Sequence, residues 1–190
     1  MRRTLTWLAL ALSLVALRAA AEEIEIRDAQ LVANEDGIVL SADFEIDLTS
    51  RLEDALAKGV PLYFVVEFEI YRPRWYWLDE RIGVAARSTR LSFHALTRTD
   101  RLTTGALHQS FATLDDALRT LSRVRGWQVL ARGTLKSDAV YAAYTRMRLD
   151  TAQLPKPFQV SALANREWTL ASHWKKWEVN GSIDQAEVAR

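Results

Sequence analysis

The residue types that could support catalysis or metal binding are few and widely spaced in this sequence. It contains three histidines, His94, His108 and His173, and no cysteine. No two of these histidines have the short separation of a metal-binding pair. A serine flanked by glycines, as in a nucleophile elbow, is also absent. We therefore expect no catalytic residue, no metal site and no cofactor, and a hydrolase or metal enzyme is the least favoured class.

The clearest candidate binding surface is the aromatic and basic stretch RPRWYW, which supplies Arg72, Arg74, Trp75, Tyr76 and Trp77. Pro73 within it has no N–H for a strand ladder, so a strand must break, bulge or lie at an edge there. Beyond the break, alternation would place both tryptophans on one sheet face. Either they fill the core, or the rings bind a glycan, a peptidoglycan fragment or a partner's side chain, with the arginines available for anionic groups.

A second aromatic stretch, HWKKW, contains Trp174, Lys175, Lys176 and Trp177. Tryptophan favours the headgroup level of a membrane and lysine favours anionic lipid. Membrane-surface contact through these four residues is one interpretation. The other is a final strand with a structural role.

The N-terminus has the order of a secretory signal peptide. Arg2 and Arg3 precede an apolar run from Leu5 to Leu17, and small residues end at Ala21. The run is short for a membrane-spanning helix. We predict that residues 1–21 are a signal peptide cleaved after Ala21 and that the protein is periplasmic. An uncleaved membrane anchor is the alternative.

Charge and composition limit the function of the remaining chain. Residues 1–21 include three arginines and no acid, so 22 basic residues face 24 acidic ones after cleavage and the net charge is −2. Nucleic-acid binding is not indicated. We predict a single domain over residues 22–181 and a flexible tail over residues 182–190, which are small and polar. Without cysteine, packing alone must stabilise the domain.

Alternating hydrophobicity predicts strands over residues 24–32, 38–48 and 62–71, with a hairpin turn that ends at Gly37. Two short amphipathic helices are expected, one over residues 51–58 capped by Ser50 and one from Thr113 to Gly126. Proline on both sides of Lys156 predicts an extended entry into a further strand. The remaining predicted strands cover residues 75–83, 88–96, 100–106, 127–133, 141–150, 158–164 and 167–179.

Leu135 and Tyr141 have the spacing of a tyrosine corner, in which a tyrosine at the start of a strand bonds to the backbone a few residues upstream. This corner, many short strands and the lack of a strand–helix–strand rhythm together favour a mainly β fold. We predict an antiparallel immunoglobulin-like β-sandwich with two short amphipathic helices.

Four stretches carry a family resemblance: RPRWYWLDE at 72–80, LSFHALTRTDRLTTG at 91–105, LPKPFQVSAL at 154–163 and REWTLASHWKKWEV at 166–179. They are similar to the proteobacterial family called domain of unknown function 4390. The resemblance implies a small exported protein, often encoded beside a membrane sensor histidine kinase, and supplies no catalytic residue that could be carried over to this chain. Asp100 departs from the family pattern, in which an aromatic residue is expected.

Two functions follow as hypotheses. The first is a non-enzymatic periplasmic module that contacts a protein partner such as a membrane sensor histidine kinase. The second is a binding module for glycan or peptidoglycan fragments that uses Trp75, Tyr76 and Trp77.

Overall fold

The computed structural model describes residues 24–185. The predicted signal peptide and the last five residues of the predicted tail lie outside them. Nine strands and three α-helices occur within this part. The strands are β1 (Ile24–Asn34), β2 (Gly37–Ile46), β3 (Leu62–Arg72), β4 (Glu80–His94), β5 (Thr99–Thr104), β6 (Leu107–Phe111), β7 (Arg123–Ala131), β8 (Val140–Leu149) and β9 (Lys175–Asn180). The helices are α1 (Ser50–Ala57), α2 (Leu114–Leu121) and α3 (Lys156–Ala164).

The strands form two antiparallel sheets with the core between them. One sheet has the order β1-β2-β7 and the other the order β6-β5-β4-β3-β8-β9. A single cluster of buried apolar residues draws on both sheets and on α1 and α2, and the half-buried Phe158 and Ala162 of α3 pack against it. The mainly β sandwich is confirmed. Its immunoglobulin-like character is not, since sheets of three and six strands differ from the four and three of a constant-type domain.

The turn between β1 and β2 confirms the predicted hairpin. The Asn34 side-chain oxygen accepts hydrogen bonds from the Asp36 and Gly37 N–H groups at 3.1 and 2.9 Å. Gly37 has φ +151°, and a Cβ there would lie 2.3 Å from the Leu130 carbonyl oxygen. The close approach of β7 therefore requires glycine at this turn.

Strand β3 lies near the middle of the larger sheet and shows the predicted alternation. Phe64, Phe68 and Ile70 on its inner face are almost fully buried. On the outer face Glu67 pairs with Arg146 at 2.5 Å and with Arg148 at 3.0 Å. Burial would raise the pKa of Glu67, but hydrogen bonds from these two arginines outweigh it and lower the pKa. Glu67 thus remains ionised and joins β3 to β8.

Local capping signals located the first two helices. The Leu52 N–H donates to the Thr49 hydroxyl at 3.3 Å, so α1 is capped one residue before the predicted Ser50. The Asp116 N–H donates to the Thr113 hydroxyl at 3.2 Å, as predicted for α2. Helix α2 ends earlier than expected because β7 begins at Arg123.

The prediction of an extended segment and a strand after Leu154 is wrong. Residues Lys156–Ala164 form α3, with Pro155 at its N-cap and Pro157 in its first turn. Proline is compatible with this position because N–H groups in the first turn have no partner within the helix. Phe158 then contacts Trp168, with ring centroids 5.3 Å apart. The fold therefore has three helices rather than two.

Two other predicted strands have different limits in the structure. The strand predicted over residues 75–83 begins only at Glu80, where β4 starts and continues to His94. The segment predicted over residues 167–179 contains a 3-10 turn at Arg166–Trp168 before β9.

The tyrosine corner joins the start of β8 to the loop before it, and the same loop contacts the C-terminal turn. The Tyr141 hydroxyl accepts a hydrogen bond from the Lys136 N–H at 2.8 Å, one residue beyond Leu135. The Leu135 N–H instead donates to Asp184 at 2.8 Å. Asp184 is buried and belongs to the 3-10 helix Gly181–Gln185. The first residues of the predicted tail are consequently part of the folded domain.

None of the helices in residues 24–185 combines the length and apolar character needed to cross a bilayer.

Asp100 is a carboxylate on the inner face of β5, with only 7% of its surface exposed. Its neighbours in the ladder are Phe93 and Phe111. Burial raises the pKa of Asp100 above its ordinary value of 3.8. Because the pKa of Asp100 is higher in the folded state than in the unfolded state, protonation of Asp100 favours the folded state. Its contribution to the free energy of unfolding is fully present below pH 3.8 and is lost as pH rises through the raised pKa.

We predict that Asp100→Asn increases the free energy of unfolding at neutral pH and changes it little below pH 3.8. The amide cannot ionise, so it does not bear the cost of a buried charge. Urea unfolding at both pH values measures the difference. Asp138→Asn, in an exposed loop, is the control, with a change within about 0.5 kcal/mol at either pH. A variant that is less stable than the wild type at neutral pH would contradict this account.

Candidate functional site

The most exposed aromatic side chains lie in the connection between β3 and β4. The last pair of the ladder is Arg72 with Glu80, so residues 73–79 extend beyond the sheet as a loop. We name residues 73–79 the aromatic loop. Pro73, its first residue, offers no N–H to continue the ladder, which explains why β3 ends there.

The rings of the aromatic loop face solvent. The exposed fraction is 94% for Trp75, 65% for Tyr76 and 73% for Trp77, and it is 81% for the neighbouring Leu78. The alternative in which the two tryptophans fill the core is therefore wrong. It assumed that a strand resumes directly after Pro73, whereas β4 starts only at Glu80.

Ion pairs at the base hold the two ends of the loop together. Glu80 pairs with Arg72 and, at 2.5 Å, with Arg74. The Arg74 N–H also donates to the Asp79 carboxylate at 3.3 Å. The hydrogen bond from Arg74, followed by that from Arg72, lowers the pKa of Glu80. Both arginines thus help to shape the loop, and because they share one carboxylate, their binding of an anionic group stays a prediction.

The rings do not form one flat surface. Trp75 and Tyr76 meet edge to face, with centroids 5.2 Å apart and planes at 74°. A sugar stacks on the face of a ring, so a continuous platform needs rings with parallel faces. Trp75 and Tyr76 instead present their faces in different directions, a shape suited to insertion into a groove.

A second candidate surface is a groove of about 400 Å³ on the outer face of the larger sheet. We name it the outer groove, and it is lined by Glu69, Tyr71, Asp79, Tyr144 and Trp174. Asp79 belongs to the aromatic loop as well, so the two surfaces are contiguous. The groove combines aromatic faces with two carboxylates, and these groups suit hydroxyl-rich or cationic ligands.

The walls of the outer groove are held by contacts among its own residues. Tyr71 and Tyr144 meet edge to face, with centroids 5.8 Å apart. The Tyr71 hydroxyl donates to Glu69 at 2.6 Å, and this hydrogen bond is the main reason that the pKa of Tyr71 is raised. The Arg146 guanidinium lies 4.5 Å from the Trp174 ring centroid. These groups are consequently arranged before any ligand arrives.

Sequence reasoning missed the outer groove apart from Trp174. The available signal was the pair of tyrosines, Tyr71 and Tyr144, at outward positions of two alternating strands. Their proximity depends on the pairing of β3 with β8, in which Tyr71 lies opposite Ala142. That pairing joins strands distant in the chain, which periodicity alone does not specify.

The HWKKW residues lie on both faces of the larger sheet. Trp174 lines the outer groove, and the Lys176 ammonium lies 5.6 Å from the Tyr144 ring centroid. Trp177 packs against the core, and Lys175 donates to the Arg27 carbonyl in the smaller sheet at 3.1 Å. Membrane contact through these four residues stays a prediction, and only two of them share the outer face.

Two of the three histidines contact threonine hydroxyls. His94 contacts Thr97 and His108 contacts Thr103, each at 3.1 Å. No group of three or more metal-ligand side chains occurs in residues 24–185.

A family model described as Domain of unknown function (DUF4390) matches residues 21–178. No curated protein and no solved structure matches the chain.

We predict that Trp75→Phe or Trp77→Phe removes emission that acrylamide quenches readily, because both indoles are open to solvent. Trp168→Phe is the matched control: Trp168 is 3% exposed, so its loss should remove shielded emission. Stern–Volmer quenching of the purified protein measures the accessible fraction. If either loop variant removes shielded emission instead, the described geometry of the aromatic loop is wrong.

Proposed function

The chain belongs to the family described as domain of unknown function DUF4390, and from this premise we propose that it is an exported, non-enzymatic module of the bacterial envelope. In this proposal it contacts a protein partner through the aromatic loop. The single observation that carries the proposal is the exposure of Trp75, Tyr76 and Trp77 on a loop held by ion pairs.

The composition of the loop supports a protein partner. Tryptophan, tyrosine and arginine are the residues most enriched among those that dominate binding energy at protein interfaces. Leu78 adds an exposed apolar side chain beside the rings. A monomeric protein rarely exposes such a set of large apolar groups without a function.

The defined base of the loop favours binding. Glu80 pairs with Arg72 at the end of β3 and with Arg74 of the loop, so part of the ordering needed in a complex already exists in the free protein. Rigid presentation lowers the entropy lost on association. The edge-to-face rings also favour a partner groove over a flat sugar surface.

The cellular setting rests on the N-terminal pattern and on the family resemblance. The order of basic, apolar and small residues over residues 1–21 supports export by a cleaved signal peptide. The family resemblance implies a partner such as a membrane sensor histidine kinase. We accordingly propose the periplasm as the location and the sensory region of such a kinase as the partner.

The second candidate function is binding of glycan or peptidoglycan fragments. The outer groove favours it, since Tyr71, Tyr144 and Trp174 offer ring faces beside the carboxylates of Glu69 and Asp79. In this version the rings of the aromatic loop would close over a ligand that lies in the groove.

For the protein partner, the test is co-purification of the membrane sensor histidine kinase with the epitope-tagged protein from solubilised envelopes. We expect the double variant Trp75→Ala/Trp77→Ala to recover at least about tenfold less kinase, because hot-spot side chains dominate binding energy. Leu96→Ala is the control, since Leu96 is 92% exposed in a different turn. Equal recovery with wild type and the double variant, or no kinase with either, would reject the proposal.

For the glycan alternative, titration calorimetry with soluble peptidoglycan fragments is decisive. We expect Trp174→Ala to weaken binding at least about tenfold, because a stacked ring face is lost from the outer groove. Leu96→Ala again serves as the control. No heat of binding with the wild-type protein would remove this candidate.

A further inference from the structure

A cavity of about 430 Å³ lies on the inner side of the larger sheet, away from the outer groove. Its walls come from β4, β5, β6, α2 and β7, and we name it the inner cavity. The lining includes three arginines, Arg87, Arg123 and Arg125, and none of the lining residues is acidic. Its chemistry is therefore opposite to that of the outer groove.

Arg87 is the most unusual of these residues. It is half-buried on the inner face of β4, opposite Val66 of β3. Its guanidinium lies 5.2 Å from the Trp127 ring centroid, and no carboxylate pairs with it among residues 24–185. Burial lowers the pKa of Arg87, although a guanidinium stays charged at any physiological pH.

Two other arginines of the same sheet have the carboxylate partner that Arg87 lacks. Arg146 and Arg148 are similarly half-buried and share Glu67. A partly buried charge without a partner reduces stability, because its lost hydration is not replaced. The cation–π contact with Trp127 offsets only part of that loss. Arg87 is thus a partly buried cation without an anionic partner in residues 24–185.

Arg123 adds a second cation at the opposite wall. It lies directly across the ladder from Asp43, but the Asp43 carboxylate binds Arg125 at 2.5 Å. Arg125 is therefore already neutralised, whereas Arg123 has no acidic partner in the described part of the chain. Arg87 and Arg123 together leave the inner cavity with uncompensated positive charge.

The rest of the lining is neutral and partly apolar. Leu102 and Leu121 are buried in its wall, and Leu107 is 63% exposed at the adjacent edge strand β6. Gln109 supplies an amide that can donate or accept hydrogen bonds. Cationic and apolar groups in one cavity match a ligand that has a charged head and an apolar tail.

We propose that the inner cavity binds a small amphiphile with an oxyanion head, a phosphoryl or carboxylate group, and that Arg87 and Arg123 bind this head. The leucines contact the tail. Guanidinium groups suit this role because their N–H groups match the geometry of paired oxyanion oxygens. The site is independent of the proposed partner contact, since Arg87 lies about 23 Å along β4 from Glu80 at the base of the aromatic loop.

The test is titration calorimetry of the purified protein, as processed by the cell, with octyl phosphate, inorganic phosphate and octyl glucoside. We expect octyl phosphate to bind and the neutral octyl glucoside not to bind. Inorganic phosphate distinguishes the source of the oxyanion. If inorganic phosphate binds as tightly as octyl phosphate, the site takes a free oxyanion and the amphiphile proposal is wrong. If inorganic phosphate binds much more weakly, the site takes the oxyanion head of an amphiphile.

Variants connect the binding to the cavity. We expect Arg87→Gln and Arg123→Gln each to weaken octyl phosphate binding at least about tenfold, since each removes a charge-assisted hydrogen bond. Arg101→Gln is the matched control, because Arg101 is exposed on the outer face of β5. Arg123 is also exposed, so its variant retains the test if Arg87→Gln does not fold.

Wild-type protein that binds octyl phosphate no more tightly than octyl glucoside would overturn the proposal. The proposal would also be overturned if Arg123→Gln and a folded Arg87→Gln both bind octyl phosphate with wild-type affinity. Loss of kinase recovery in the aromatic-loop variants is measured separately, so the two proposals can fail independently.

Discussion

The register of β3 is the constraint on which the other features depend. Because side chains alternate between faces, a slip of one residue would turn Phe64, Phe68 and Ile70 away from the core and bring Glu67 into it. The same register places Glu67 opposite Arg146 of β8, where the ion pairs join two strands that are distant in the chain. Packing on one face and charge on the other therefore select the same alignment. That alignment also determines which side chains of β3 and β8 form the outer groove.

The aromatic loop is exposed because β3 ends at a proline. Pro73 cannot donate to the ladder, and β4 pairs again only from Glu80. Between these points the chain has no sheet partner, so its rings extend into solvent instead of packing on the core. Glu80 limits the resulting freedom through Arg72 and Arg74. An exposed aromatic side chain on an unconstrained loop would lose more entropy on binding, so these ion pairs would favour the proposed partner contact.

Features that depend on neighbouring residues were predicted well from the sequence. Alternation identified β2 and β3, Thr113 located the start of α2, and Tyr141 makes the bond of a tyrosine corner. The secondary structure was predicted wrongly where one sequence pattern is compatible with two local structures. Proline beside Lys156 suits both an extended entry and a first helical turn, and contact of Phe158 with Trp168 accompanies the helix. The aromatic loop was ambiguous because composition does not indicate whether a strand resumes after Pro73. The outer groove and the inner cavity depend on pairing between distant strands, which periodicity does not specify.

Charge is distributed differently on the two sides of the larger sheet. Carboxylates of the outer face bind nearby arginines or line a groove beside aromatic rings, as Glu67, Glu69 and Asp79 show. Beside the inner cavity, Arg125 pairs with Asp43, whereas Arg87 and Arg123 have no acidic partner among residues 24–185. An anionic ligand would be repelled by the carboxylates of the outer groove and attracted by the inner cavity. The charges of the two surfaces thus favour different ligands, and the proposed partner contact at the loop would not compete with the proposed ligand of the inner cavity.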